Sequence, residues 1–327
     1  RPVEMATLPA AEGEMGVLPG HAPMIVALRG GVISVTENGL ETEKLFVAGG
    51  FAEITPGRVT ILADEATPVA ELSKSDAADR IAAAEAAVLE AQDLTPEKRE
   101  AAMARLLAAR AMLEAIAQAI FKEWFVDFNF PGATGEMVES ELGLIPKGWR
   151  VGKLEEIVTN FDRKRVPLSS RERENRKGAF PYYGAASILD YVDDYIFDGV
   201  YLLMGEDGTV ITEDGKPVLQ YVSGKFWVNN HTHVLQGKKP FSTEYVLLQL
   251  KNTNVKHIVT GAVQPKINQG NMNELPVVIP DEFTLLSFQD IITPIFSNVL
   301  DTEQETSILT GIRDNLLPKL MNGEIEV

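Results

Sequence analysis

Between Met112 and Trp149 (MLEAIAQAIFKEWFVDFNFPGATGEMVESELGLIPKGW) the chain changes character, and no single fold accommodates both sides of the change. Upstream, short β-type runs give way to Ala-rich helical sequence with few aromatics. Downstream, aromatic, Asn and basic residues become common and short strands resume. A chain of 327 residues is long enough for two or three cores, since one core seldom grows past roughly 250 residues. The expected class is α+β, multidomain: a small β-sandwich over 1–70, a helical hairpin merging into a long spacer helix over 73–128, a mixed α/β domain over 142–282, and a long C-terminal helix over 283–327 that pairs with the spacer as an antiparallel coiled coil.

The formal charge of −17 argues against indiscriminate binding to phosphate backbones or anionic membrane, so any nucleic-acid site must be local. The absence of cysteine removes disulfides, thiolate zinc sites and a cysteine nucleophile, and suits a reducing cytoplasm. No apolar run approaches the ~20 residues of a membrane helix, and no secretory signal is present. The chain opens on Arg1 and enters strand-like sequence at once, as a fragment without its true start would.

In the first piece, runs at Met24 to Leu28, Val32 to Val35, Lys44 to Val47, Phe51 to Ile54 and Val59 to Leu62 are separated by Gly- and Pro-containing turn signals. Short, evenly spaced strands of this kind predict a sandwich or barrel, with Asn38-Gly39 as the clearest hairpin turn. The period then changes. Ser75-Asp76 can cap one helix, and Thr95-Pro96-Glu97 opens a second with Pro at its first helical position. Alanine favours helix in both but supplies little bulk for a core. His21 reads as a loop residue fixing the turn before Pro23, because no serine, cysteine or second histidine accompanies it.

These residues carry a resemblance. Glu12-Gly13-Glu14-Met15-Gly16-Val17-Leu18-Pro19-Gly20-His21-Ala22-Pro23, Val47-Ala48-Gly49-Gly50-Phe51-Ala52-Glu53-Ile54 and Val59-Thr60-Ile61-Leu62-Ala63 resemble the epsilon subunit of F-type ATP synthases. The resemblance implies a β-sandwich that packs on the gamma subunit and the c-ring, followed by a helical hairpin able to restrain ATP hydrolysis at the inner face of the membrane. The family's first strand has no counterpart here, which predicts an unpaired sheet edge. Ser75 to Ile81 matches the nucleotide-binding pattern of some members only partly, so no ATP binding is expected.

The second Ala-rich helix continues in phase through Met103, Leu106, Leu107, Leu113, Ile116, Ile120, Phe121, Trp124 and Phe128, until Asn129-Phe130-Pro131-Gly132 stops it. Beyond a turn-rich linker, seven cations fall within fifteen residues: Arg163, Lys164, Arg165, Arg171, Arg173, Arg176 and Lys177. Strand-like runs then alternate with turns rich in amide and basic side chains, the types that contact bases and phosphates: Pro181-Tyr182-Tyr183-Gly184, Glu206-Asp207-Gly208, Asn229-Asn230-His231-Thr232-His233 and Gln264-Pro265-Lys266-Ile267-Asn268. At the C-terminus, Phe288, Ile292, Ile295, Phe296, Val299, Leu309, Ile312, Leu316 and Leu320 form an apolar stripe on a helix started or bent at Pro294, with Pro294 to Leu320 spanning about 40 Å at ~1.5 Å per residue.

Ala117 to Phe128, Gly143-Leu144-Ile145-Pro146-Lys147-Gly148-Trp149, Glu206-Asp207-Gly208, Asn230-His231, Gln264-Pro265-Lys266 and Leu309 to Ile325 resemble the second half of a type I restriction–modification specificity subunit. The resemblance implies a target-recognition domain that reads one half of a split double-stranded DNA site. It also implies spacer helices that set the distance between halves and dock the methyltransferase and, through it, the restriction subunit. S-adenosylmethionine, ATP and Mg would then belong to the partner subunits, and this chain would need no cofactor. The expected DNA contacts are Arg163, Lys164, Arg165, Arg171, Arg173, Lys177, Tyr183, Asn229, Asn230, His231, Thr232, Gln264, Lys266 and Asn268. The expected spacer and partner contacts are Ile120, Trp124, Phe128, Ile295, Val299, Leu309, Ile312, Leu316 and Leu320. One recognition domain would read one half-site unless the chain self-dimerises.

His231 and His233 alternate along a strand as two zinc ligands might, but no third ligand stands at suitable spacing, which favours a structural or DNA-contacting role and no metal. Glu206-Asp207, on adjacent residues, reads as a turn into Gly208. Tyr182, Tyr183 and Trp227 read as core or domain-surface aromatics. Without a nucleophile, a metal cluster or a phosphate-cradling loop, an enzyme ranks behind a DNA-reading subunit and behind an ATP synthase rotor subunit carrying a passenger domain.

Overall fold

Asn38 and Gly39 take φ of 54° and 73°, the positive pair that a two-residue hairpin turn requires, and they join strands Gly31–Glu37 and Leu40–Val47 in the register Glu37↔Leu40. The computed structural model describes residues 3–63, 65–72, 79, 83, 96–261 and 264–300, and the chain falls into two units, Arg1–Ile120 with Pro294–Val327, and Phe121–Thr293. Of the first helix of the expected hairpin, from Ser75, all but residues 79 and 83 lie outside the described residues, as do Leu309, Ile312, Leu316 and Leu320.

In the first unit, an eight-stranded sheet has Met5–Ala10 at its middle, paired with Gly13–Val17, Met24–Leu28 and Gly31–Glu37. Alternation sends Leu8, Val17, Leu28, Ile33, Val47, Ala52 and Ile54 into one buried cluster, the core of a sandwich. The opposite face of neighbouring strands leaves Ile25, Phe51 and Leu62 exposed. Gly50 cannot be replaced cheaply: its φ is +127°, and a Cβ there would lie 2.2 Å from the Leu62 carbonyl oxygen.

The long helix Pro96–Phe125 runs across the seam without interruption. Its buried residues in the first unit include Ala102, Leu106, Ala108, Ala109, Met112, Leu113 and Ile116, whereas Leu107 is exposed. The apolar face is therefore rotated toward alanine relative to the expected stripe. The reason is close approach to the sandwich: a Cβ on Gly30 would meet Ala108 Cα at 2.4 Å, so only small residues fit there. The helix also stops earlier than expected. Phe128 lies outside it at φ 60°, and the last turn loosens through Val126 and Asp127, whose N–H groups both donate to the Lys122 carbonyl.

The second unit holds two four-stranded sheets. One has the order Val158–Asn160, Thr232–Gly237, Tyr201–Gly205, Leu219–Val222; the other Ile188–Val192, Lys177–Tyr183, Lys225–Val228, Phe197–Asp198. Phe197, Tyr201, Leu203, Val222, Phe226, Val228 and Val234 form a core shared by the two sheets. Phe121, Trp124, Phe125, Tyr245 and Phe288 pack ring on ring, for example Phe125 edge-on to Phe288 at 4.8 Å.

The C-terminal helix does not start at Pro294. It runs Glu282–Leu300, capped by Asp281, whose carboxylate accepts from the Thr284 N–H at 2.9 Å. With 19 residues and a mean hydropathy of 1.2 it is long and apolar enough to cross a membrane, contrary to the expectation from sequence. Its apolar residues Leu285, Phe288, Ile292, Ile295, Phe296 and Val299 are nonetheless buried at three- and four-residue spacing, as in a core helix.

Candidate nucleic-acid interface

The centre of the candidate site is a buried ion network. Strand Thr232–Gly237 lies inside its sheet, and His233 on it is fully buried. The His233 ring places Nδ1 at 2.6 Å from Asp162 Oδ2 and Nε2 at 2.8 Å from the Ile267 carbonyl oxygen. Each ring nitrogen thus faces an oxygen able to accept a hydrogen bond. Burial pushes the Asp162 carboxyl up, but hydrogen bonding and attraction from His233, aided by the Val234 N–H, hold it below the usual carboxylate range.

Arg165 joins the same network. Its guanidinium donates to Glu206 at 2.8 Å and to the Thr232 carbonyl at 2.6 Å, and lies 3.5 Å from Asp162. Glu206 and Asp207 share a third cation, with Lys266 Nζ at 3.4 Å from Glu206 and 3.0 Å from Asp207. Burial raises the Asp207 carboxyl, and hydrogen bonding and attraction from Lys266, joined by His231, together hold it below the usual carboxylate range. The two carboxylates converge because Glu206 and Asp207 leave the strand into a turn through Gly208, at φ +90°. Main-chain bonds lace the same loops together: Glu206 N–H to His231 O, Ile267 N–H to Glu206 O and Gly208 N–H to Pro265 O.

Of the residues expected to contact DNA, Arg163, Lys164, Arg171, Asn230, His231 and Gln264 stand exposed. Lys177 is exposed and paired with Asp190 at 2.6 Å. The others are engaged by contacts within the chain. Arg165 is held as above, Arg173 donates to the Leu168 carbonyl at 2.7 Å and lies over the Tyr182 ring, and Tyr183 packs edge-on to Phe226. Asn229 accepts from the His231 N–H, Thr232 is fully buried, and Asn268 caps the short helix Gln269–Asn273. Lys266 is spent on the acidic pair. Tyr182 and Trp227 are core residues, with Trp227 Nε1 donating to Val166 O at 2.6 Å.

The two histidines do not act together: His231 precedes the strand, half exposed and 3.5 Å from Asp207. The acidic groups that spacing could not supply do meet His233, because Asp162 and Glu206 bring ligand atoms within 4.8 Å of it. Arg165 and the ring already occupy those carboxylates, so the chemistry of the set is that of an internally satisfied polar network. Asp162 was missed in the sequence because its partner is 71 residues away.

Residues 1–69 match the family model for the ATP synthase, Delta/Epsilon chain, beta-sandwich domain, and residues 146–313 match that for the Type I restriction modification DNA specificity domain. The ATP synthase epsilon chain of Granulibacter bethesdensis is 58% identical over 115 residues, which cover 35% of this chain and 85% of that one. A type I restriction enzyme specificity subunit of Haemophilus influenzae is 34% identical over 127 residues, or 39% of this chain and 32% of that subunit. The chain thus spans about a third of the length of that relative. The crystal structure of a type I restriction–modification S subunit from M. genitalium aligns over 75% of this chain and 58% of that chain, at 17% identity and a TM-score of 0.38.

Proposed function

Because residues 1–69 belong to the ATP synthase epsilon-chain family and residues 146–313 to the type I restriction–modification specificity family, we propose that the larger part of this chain is a non-catalytic DNA-recognition module, reading one half of a split duplex site and docking methyltransferase subunits. One observation carries the reading. Loops 160–165, 205–208, 229–233 and 264–268 gather around a single ion network, and their outward residues, Arg163, Lys164, Asn230, His231 and Gln264, are cations, amides and an imidazole. Such side chains can position a backbone and read base edges, and their rigid mounting lowers the entropy cost of binding. Chemistry on DNA, with S-adenosylmethionine, ATP and Mg, is assigned to partner subunits. The compartment proposed is the cytoplasm, where those partners and DNA meet.

The test is selection. The full chain, mixed with a type I methyltransferase subunit, is used to retain duplexes from a randomised pool. A short enriched motif is expected, doubled if the chain self-associates. A pool that stays random after repeated rounds contradicts the reading.

A second reading rests on the 58% identity to an epsilon chain and on the exposed Ile25, Phe51 and Leu62 of the sandwich. In it, the first unit packs on a gamma subunit and c-ring at the inner face of a membrane, and the recognition domain is a passenger. Restored inhibition of ATP hydrolysis in epsilon-depleted F1 supports it; no effect at saturating chain removes it.

A further inference from the structure

Each exposed tip of the proposed reading surface lies one to three residues from a member of the buried ion network. Asp162 directly precedes Arg163 and Lys164, and Arg165 directly follows them. His233 lies two residues past His231 and three past Asn230; Lys266 lies two past Gln264. The network joins these segments to one another. Asp162 meets His233 at 2.6 Å, His233 meets the Ile267 carbonyl at 2.8 Å, and Arg165 meets both Glu206 and the carbonyl of Thr232. A loop on its own has several conformations within reach of thermal energy, so separate loops would present their tips in many relative positions. Polar contacts held out of solvent remove that freedom, since breaking any of them leaves a buried polar group without its partner.

We propose that Asp162 and His233, with Arg165, are positioning residues for sequence selectivity: they lock the tip-bearing loops into one rigid unit, so that base readout depends on groups that never touch the DNA. This rests on the DNA-reading function proposed above. Affinity for the phosphate backbone belongs instead to the exposed cations Arg163 and Lys164. Selectivity and salt dependence therefore separate. Loosening the network keeps the charge of the exposed cations and moves the base-reading tips.

The experiment uses the full chain with a methyltransferase subunit and measures binding to the selected duplex and to a scrambled one across a salt series. Asp162→Asn is expected to lower the ratio of the two affinities by about tenfold or more, the discrimination carried by roughly one base contact, while the slope of log K against log salt stays that of the wild type. Lys266→Gln, a milder change at the half-exposed edge of the network, should lower the ratio less and guards against simple misfolding. The paired Asp162→Asn/His233→Gln change restores a neutral hydrogen bond across the same gap and should recover part of the ratio. A ratio unchanged in Asp162→Asn and Lys266→Gln overturns the proposal, as does a loss of selectivity that tracks the salt slope. A wild-type chain with no preference between duplexes sinks the DNA-reading function itself, and this inference with it.

Discussion

His233 Nδ1 lies 2.6 Å from Asp162 Oδ2, joining residues 71 positions apart in a contact that leaves the ring fully buried and the carboxylate 7% exposed. A pair so placed fixes the strand carrying His233 to the loop carrying Arg163. Removing one partner leaves the other's polarity unanswered. Asp162→Asn should cost about 3–5 kcal/mol of stability, the usual penalty for breaking a buried pair, read as a lower urea midpoint at unchanged m-value.

The same pair sets an acid limit. The folded Asp162 carboxyl sits below its unfolded value of 3.8, so its contribution is fully present above that value and is lost as pH falls through the folded one. Asp207 behaves alike, held down by Lys266 against the effect of burial. Melting temperature should hold steady down to about pH 4 and then fall, and the fall should be shallower in Asp162→Asn. An equal acid slope in the two proteins would assign the loss elsewhere.

Tyr245 offers a change in the opposite direction. Its ring packs on Phe121, Phe125, Phe241 and Phe288, its buried hydroxyl has no hydrogen-bond partner among the described residues, and burial alone pushes its pKa up. Tyr245→Phe removes an unsatisfied group and keeps the ring, so stability should rise by about 1 kcal/mol. A thermal melt that falls would reveal a partner for the hydroxyl.

Gly30 governs how the sandwich seats its helix. A side chain there must displace Ala108 backbone, since Cβ would lie 2.4 Å from its Cα. Gly30→Val should speed hydrogen exchange over Ala102 to Ile116 and leave Thr232 to Gly237 protected. Unchanged exchange in the helix would contradict the close seating.

Much of this was legible in the sequence where one residue type answers one geometric demand. Asn38-Gly39 announced a turn because both positions need positive φ, and the period-2 runs from Met24 to Leu62 became strands because one face must be buried. Long-range pairing was not legible. Nothing local links Asp162 to His233, and the regular spacing of His231 and His233 suggested a partnership that the structure dissolves, since His231 sits before the strand and faces Asp207. A run of cations likewise says nothing about which of them spend their charge internally: Arg165 and Arg173 do, whereas Arg163 and Arg171 stand exposed. Helix limits misled in both directions. Phe128 leaves the helix by its own positive φ before the Pro131-Gly132 signal, while Pro294 sits inside a helix that began at the Asp281 cap.

The most direct measurement of DNA reading is an anisotropy titration of the full chain, with a methyltransferase subunit, on the selected duplex and a scrambled one at several salt concentrations. The selected duplex should bind roughly a thousandfold or more tightly, and log K should fall linearly with log salt at about 0.9 per neutralised phosphate. Replacing Arg163 and Lys164 by alanine should flatten that slope by about 2. Equal affinity for the two duplexes, or binding indifferent to salt, would contradict a sequence-specific DNA-recognition module.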